Sequence, residues 1–164
     1  MSALAYLYSP IGMVELRGSE AGLHAVRFRD ESEAVAPTTA LNLAGCLREA
    51  HQQLQAYFGR ELRDFSVACA AEKGTDFQRQ VWAALPHVRF GRTASYLDLA
   101  RQLQNEKAVR AVGAANGQNP LALVWPCHRI IGADGSLTGY AGGLVRKRWL
   151  LAFEQAHQQG QLFH

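Results

Sequence analysis

Cysteine is scarce in this chain of 164 residues, and what there is shows no pairing pattern: Cys46, Cys69 and Cys127 are odd in number and include no C-x-x-C spacing. That argues against a disulfide framework and a cysteine zinc site, so free thiols and no metal are expected, with Cys46 and Cys69 as packing residues. Long apolar runs are missing as well. None approaches the roughly 18 residues that a membrane span needs. Residues 1–13 lack the basic start and small-residue cleavage site of a signal peptide, so a cytoplasmic protein with no membrane contact is expected. There is no internal repeat and no low-complexity tract. With 48% hydrophobic and 19% charged residues, the composition is that of a globular protein, and the length suits one ordinary domain or two small ones.

A large charge excess is also lacking, since the net charge is only +3, but its distribution is uneven. Residues 1–74 carry seven Lys/Arg against nine Asp/Glu, and residues 75–164 carry ten against five. A polyanion should therefore meet the C-terminal half.

The two halves also differ in pattern. Apolar stretches at residues 4–8, 13–16 and 23–28, punctuated by Ser9-Pro10-Ile11-Gly12 and Gly18-Ser19-Glu20, predict an antiparallel meander; Val26 and Phe28 alternate with Arg27 and Arg29. Residues 30–39 read as a loop. Leu43, Leu47, Ala50, Leu54, Tyr57 and Phe58 form one face of an amphipathic helix ending near Gly59. Residues 65–69 suggest a further strand, and residues 70–74 a linker. Beyond it come helices: one capped by Thr75-x-x-Gln78 and stopped by Pro86, a second over residues 95–104, and a third over residues 107–116. The last two, joined only by Gln104-Asn105-Glu106, fit a helix-turn-helix, although helical hairpins of ordinary bundles fit the spacing equally. The expected fold is α+β. A small N-terminal α/β domain with an antiparallel sheet spans residues 1–73, and a mainly helical C-terminal domain containing the helix-turn-helix spans residues 74–164.

Chemistry concentrates in residues 119–130, an apolar, strand-like run that delivers Cys127 between Pro126 and His128. Proline stiffens the chain where the thiol is presented. An ordinary thiol, with a pKa of about 8.5, is only a few per cent ionised at neutral pH, so a nucleophilic cysteine needs a partner. His128 is the nearest. On an extended segment neighbouring side chains point apart, so contact would need a bend or a bridging water. A second helix-borne group, Glu154, shares a face with Leu150 and Leu151 in a helix over residues 144–157. A carboxylate there needs a donor, and an imidazole fits: acid orients histidine, and histidine draws the thiol proton. An inert buried cysteine and an exposed glutamate satisfy the same pattern.

Pro126-Cys127-His128-Arg129 followed by Gly139-Tyr140-Ala141-Gly142-Gly143 resembles the O6-alkylguanine-DNA alkyltransferase family. The likeness runs through Thr93-x-Ser95-Tyr96-x-x-Leu99-Ala100, Arg110-Ala111-Val112-Gly113-Ala114-Ala115-Asn116-Gly117, Asn119-Pro120 and Lys147-x-Trp149-Leu150-Leu151-x-x-Glu154. It is strong over residues 75–157. N-terminally only Ser9-Pro10-Ile11-Gly12 matches, as a pattern, with Thr75-x-Phe77-Gln78-x-x-Val81-Trp82 at the junction.

The resemblance implies single-turnover repair: Cys127 takes the alkyl group from O6-alkylguanine, and from O4-alkylthymine, in double-stranded DNA, and is consumed. It makes His128 the base, acting through a water, Glu154 its holder, and Asn119 the tie between the reactive segment and the helix-turn-helix. Tyr140 would line the guanine pocket and donate to O6, with Gly142 and Gly143 letting backbone approach the base. A stacked base is out of a buried thiol's reach, so the nucleotide must be flipped, in this family from the minor groove. Arg110 would fill the vacated stack and Tyr96 help rotate the phosphate, while Ala111, Gly113 and Ala114 keep the recognition helix narrow. Arg129 is expected in an internal ion pair without a catalytic part. No cofactor is implied, and the expected state is a monomer, with cooperativity on DNA left open.

Three departures bear on the carry-over. Gln104-Asn105-Glu106 lacks the glycine or proline often found in that turn. Trp125 stands where a small aliphatic residue is usual, either narrowing the substrate pocket or packing behind it. Ala141 replaces the serine of some members. Two alternatives are an alkyltransferase-like protein that binds lesions without repair, disfavoured by the presence of Cys127, and a DNA-binding alkylation or redox sensor, which would bind sequence-specifically. Thiol hydrolysis lacks any signal for an oxyanion hole.

Overall fold

In the computed structural model, which describes residues 2–30 and 34–162, the chain divides into two compact units, Met1–Glu72 and Lys73–His164. The first unit opens with the expected meander. Strands β1 (Ala3–Ser9), β2 (Gly12–Ser19) and β3 (Gly22–Phe28) form an antiparallel sheet in that order. Leu7 lies opposite Val14 and Leu16 opposite Val26, and all four are buried. Alternation breaks at buried Glu15, which takes two hydrogen bonds from Arg27, its partner across the sheet, and one from Arg29. Burial alone would raise its pKa, but the two guanidiniums outweigh this and lower it.

Helix α1 (Arg48–Phe58) follows a 3-10 turn at Gly45–Leu47 and buries Ala50, Leu54 and Tyr57, as the apolar spacing requires. It ends at Gly59, as expected, with that residue at an ordinary φ of −83°; the left-handed conformation falls one residue later, at Arg60 (φ 63°), while the amide of Glu61 closes back on the Ala56 carbonyl. Residues 65–69 do not form a strand. They touch the sheet only through a bridge between Leu23 and Cys69, with Leu23 bonded to Ala68 and Ala70, because one residue of β3 serves both partners. Cys69 is exposed and so is not the packing residue expected. Part of the expected loop, residues 31–33, lies outside the described residues; beyond it, Thr38 is pinned to Tyr6 by two hydrogen bonds.

The second unit starts with α2 (Asp76–Ala84), whose Thr75/Gln78 capping box is formed in both directions. Pro86 sits in a 3-10 turn, Leu85–His87, that ends it. Helix α3 (Tyr96–Gln102) has a second capping box, Ser95 with Asp98, and α4 (Val109–Gly117) follows a 3-10 turn at Glu106–Ala108. The expected helices at 95–104 and 107–116 are thus shorter at their facing ends. The intervening turn is a Schellman closure: the amide of Asn105 bonds the Ala100 carbonyl, that of Gln104 the Arg101 carbonyl, and Gln104 itself is left-handed at φ 58°. Two-residue strands β4 (Ala94–Ser95) and β5 (Ile130–Ile131) pair in parallel, an element with no sequence signal. Helix α5 (Leu144–Leu162) continues past residue 157.

A glutamine is strained where glycine is free, so Gln104→Gly should stabilise the protein by about 1 kcal/mol, net of the entropy glycine adds to the unfolded chain. The midpoint of urea unfolding reads this directly, and an unchanged or lower midpoint contradicts it.

Candidate active site around Cys127

The reactive segment is not the strand its apolar run suggested. A continuous apolar stretch has no period; it marks burial on every side, and Leu121, Leu123, Val124 and Cys127 are all buried. The backbone instead turns repeatedly. Asn119 accepts from the Leu121 amide, Trp125 bonds back to Leu121, and Val124 bonds the Ala122 carbonyl around Leu123, which is held at φ 72°. Pro126, at φ −78° and ψ 68°, closes a second three-residue turn in which the Cys127 amide donates to the Trp125 carbonyl at 2.7 Å. Cys127 therefore begins a 3-10 turn, Cys127–Arg129, and it and His128 do not point to opposite faces as strand neighbours would.

His128 and Glu154 meet as the pattern suggested. His128 Nε2 lies 2.8 Å from Glu154 Oε2, and both residues are essentially inaccessible. Arg129 grips the same carboxylate through Nε (2.9 Å) and Nη2 (3.0 Å), reaches the Val88 carbonyl through Nη1, and lies over the Phe90 ring. Burial pushes the Glu154 carboxyl up, but His128 and Arg129 outweigh it and hold the pKa at about 2. Since Arg129 already brings a full positive charge to the carboxylate, His128 need not. Burial lowers its pKa despite Glu154, and it stays neutral with its proton on Nε2. Nδ1 is then an acceptor, buried and without a partner among the described residues. Burial likewise pushes the Cys127 thiol up, with the Asn119 amide and the Lys147 charge pulling the other way. At rest the sulfur is a thiol, and the next residue of its own turn is a neutral base.

Helix α4 holds this turn from one side. Asn119 donates to the Trp125 carbonyl at 2.7 Å and Asn116 to the Cys127 carbonyl at 3.3 Å, so two amides three residues apart grip the chain on either side of Pro126. The Trp125 ring stacks on Trp82 (5.8 Å between centroids), whose indole donates to the Ala115 carbonyl. From the other side comes Lys147, wholly buried, donating to the carbonyls of Ile130 (2.7 Å) and Thr138 (2.9 Å). Neither Lys147 nor Asn116 was singled out by sequence reasoning, yet the signals existed. Lys147, Leu150 and Glu154 share one helical face, as do Val112, Ala115 and Asn116.

Tyr140 packs against the cluster containing Cys127, and its buried hydroxyl has no partner among the described residues. The turn after it is closed by the Gly143 amide on the Tyr140 carbonyl, with Gly143 at φ 91°, where a side chain is strained; the Gly142 carbonyl accepts from Arg146. Tyr96 donates its hydroxyl to the Thr138 carbonyl and places its ring where a β-carbon on Gly113 would come to 3.6 Å. Arg110, Ala111 and Ala114 do not converge on Cys127; they are exposed on α4, opposite its buried Val112, Ala115 and Asn116. Among the described residues no cluster of His, Cys, Asp or Glu could hold a metal ion.

A neutral buried imidazole makes stability depend on pH. The unfolded chain protonates His128 near 6.5 while the folded chain resists, so its contribution is complete above that value and is lost as pH falls below it. His51, also lowered by burial, acts in the same direction. Urea midpoints at pH 7.5 and 5.5 should therefore differ, and His128→Gln should reduce the difference; an equal drop in the variant rules His128 out as its source.

Residues 4–70 match the ribonuclease-like domain, and residues 76–156 the DNA binding domain, of 6-O-methylguanine DNA methyltransferase. A methylated-DNA–protein-cysteine methyltransferase of Methanosarcina acetivorans is 46% identical over 92% of this chain and 96% of its own length. One from Mycolicibacterium paratuberculosis is 44% identical over 94% and 93%. Among solved structures, the Mycobacterium tuberculosis O6-methylguanine methyltransferase superposes with a TM-score of 0.81 at 41% identity, covering 96% of this chain and 94% of that one. The same organism's OGT in complex with DNA gives 0.82 at 43%, covering 94% and 93%. With both domains matched in order and such identity across nearly its whole length, the chain belongs to the 6-O-methylguanine DNA methyltransferase family.

Proposed function

We propose that this protein is a methylated-DNA–protein-cysteine methyltransferase that repairs DNA by direct reversal, moving the alkyl group of O6-alkylguanine to Cys127. The observation that supports the assignment to Cys127 is that the buried thiol is followed, in its own 3-10 turn, by a neutral imidazole whose Nε2 bonds an ionised carboxylate and whose Nδ1 has no partner among the described residues. The thiol proton passes through a water to His128, which Glu154 steadies as it becomes charged. Sulfur then attacks the alkyl carbon. The S–C bond forms as the C–O6 bond breaks, and guanine leaves with the electron pair. Tyr140, whose buried hydroxyl has no partner among the described residues, meets the developing charge on O6. Lys147 favours the thiolate by its charge and holds the loop that carries Tyr140. The resulting thioether is a poor leaving group, so each molecule acts once. An alkylated O4 of thymine presents the same displacement.

DNA binding and catalysis fall to residues 74–164. The exposed α4 face of Arg110, Ala111 and Ala114 is narrow enough for the minor groove, with Arg110 filling the stack left by the flipped nucleotide and Tyr96 turning its phosphate. Gly113 faces the Tyr96 ring, where a β-carbon would make ordinary contact, and Gly142 and Gly143 admit the base beside Tyr140. Trp125, packed on Trp82, forms the back of the pocket and contributes its carbonyl to the turn.

Intact-mass measurement after incubation with a duplex carrying one O6-methylguanine should show one added methyl group per molecule, mapped to Cys127 and absent in Cys127→Ser, with duplex affinity retained. Binding without a mass change would mark a lesion-binding protein, and binding that follows sequence rather than lesion a sensor. Arg110→Ala should slow transfer from duplex more than transfer from free O6-methylguanine base. Equal losses on the two substrates would remove the flipping role.

A further inference from the structure

Three polar atoms of the second unit are buried without a partner among the described residues: His128 Nδ1, Tyr140 OH and Asn116 Oδ1. The first two have roles in the reaction proposed above. The third does not, and leaving a buried amide oxygen unsatisfied is costly enough to require a reason. Asn116 is 3% exposed, on the buried face of α4, where an apolar residue would fit its neighbours Val112 and Ala115. Its amide nitrogen is committed to the Cys127 carbonyl, which sets the orientation of the amide and holds its oxygen close to the backbone of the residue that bears the nucleophile.

We propose that Asn116 is a positioning residue for alkyl transfer, whose Oδ1 is the second anchor of the water that carries the proton from Cys127 to His128. The valences close on this arrangement. Asn116 Oδ1 can only accept, and so can His128 Nδ1 while Nε2–H is given to Glu154. A water has two donors, one for each, and its lone pair faces the thiol. Sγ–H gives its proton to the water as the water gives one to Nδ1, leaving thiolate, imidazolium and a water still bonded to Asn116. Three polar partners are the usual complement of a buried water. The recognition helix thereby sets both the Cys127 backbone, through Nδ2, and its proton path, through Oδ1.

The proposal rests on Cys127 as acceptor and His128 as its base, and the test separates the two levels. Single-turnover methyl transfer from an O6-methylguanine duplex is followed against pH for the native protein and Asn116→Leu, with duplex affinity measured alongside. The titratable and charged groups around Cys127 are His128 and Arg129 of its own turn, Tyr140 of the adjoining loop, and Lys147 and Glu154 of α5. Leucine adds none, so a shifted profile reports the proton path. The expected result is a rate at neutral pH lower on the order of tenfold, less than the 100- to 10,000-fold typical of losing the base itself. Duplex affinity should be unchanged, and the rate should recover as alkali ionises the thiol directly. A loss equal at every pH, or no loss, overturns the proposal while Cys127 remains the acceptor. If the native protein moves no methyl to Cys127, the underlying reading fails and takes this one with it. Should Asn116→Leu not fold, Asn116→Ser is measured in the same way; its smaller, polar side chain must reproduce the pH-dependent loss, and a flat profile again overturns the role.

Discussion

The second unit is organised around one desolvated carboxylate. Glu154 comes from the last helix, lies in an apolar interior, and stays ionised because Arg129 and His128 both bond it. Removing either partner would strand a buried charge, an expensive state, so the three side chains constrain one another and with them the turn that bears Cys127. Arg129 carries the electrostatic burden and extends the link to Val88 and Phe90. Burial leaves His128 neutral despite Glu154, with the charges of Arg129 and Lys147 acting the same way, and only a neutral imidazole can take a proton.

Around this centre the backbone of residues 119–129 is over-determined. Two tight three-residue turns, a left-handed leucine and two asparagine amides from the end of α4 fix the approach to Cys127. On the far side the buried Lys147 gathers the carbonyls of Ile130 and Thr138, and the Tyr96 hydroxyl shares the latter. The elements that meet DNA in the proposed function and those that perform the displacement are therefore bonded to the same short stretches of chain. Catalytic geometry held this way depends on packing and not on any single contact.

Much of this was legible beforehand where one residue type meets one local rule. The capping box at Thr75, the meander, the buried face of α1 and the pairing of Glu154 with His128 each follow from spacing and from the cost of an unpaired charge. The failures have reasons of the same kind. Residues 65–69 and 119–125 are apolar without a period, and apolarity alone does not distinguish a strand from a buried turn. Where a left-handed cap falls is not legible either, because glycine is only favoured there; Arg60 and Gln104 adopt it where the helix end is otherwise well bonded.

By itself the sequence determined the meander and the succession of long helices, the uneven charge, the presence of a proline-flanked cysteine and, through its motifs, the family. Only the tertiary structure decided that the carboxylate is shared by a guanidinium and a neutral imidazole, that His128 Nδ1 has no partner among the described residues, and that Lys147 and Asn116 belong to the site. Local propensity acts over a few residues, and helical and strand periods are written in the chain. The protonation state of a buried group is instead a sum over charges and desolvation contributed by residues 17 to 41 positions apart, such as Lys147 with Ile130 and Arg129 with Val88. That sum exists only once the chain has folded.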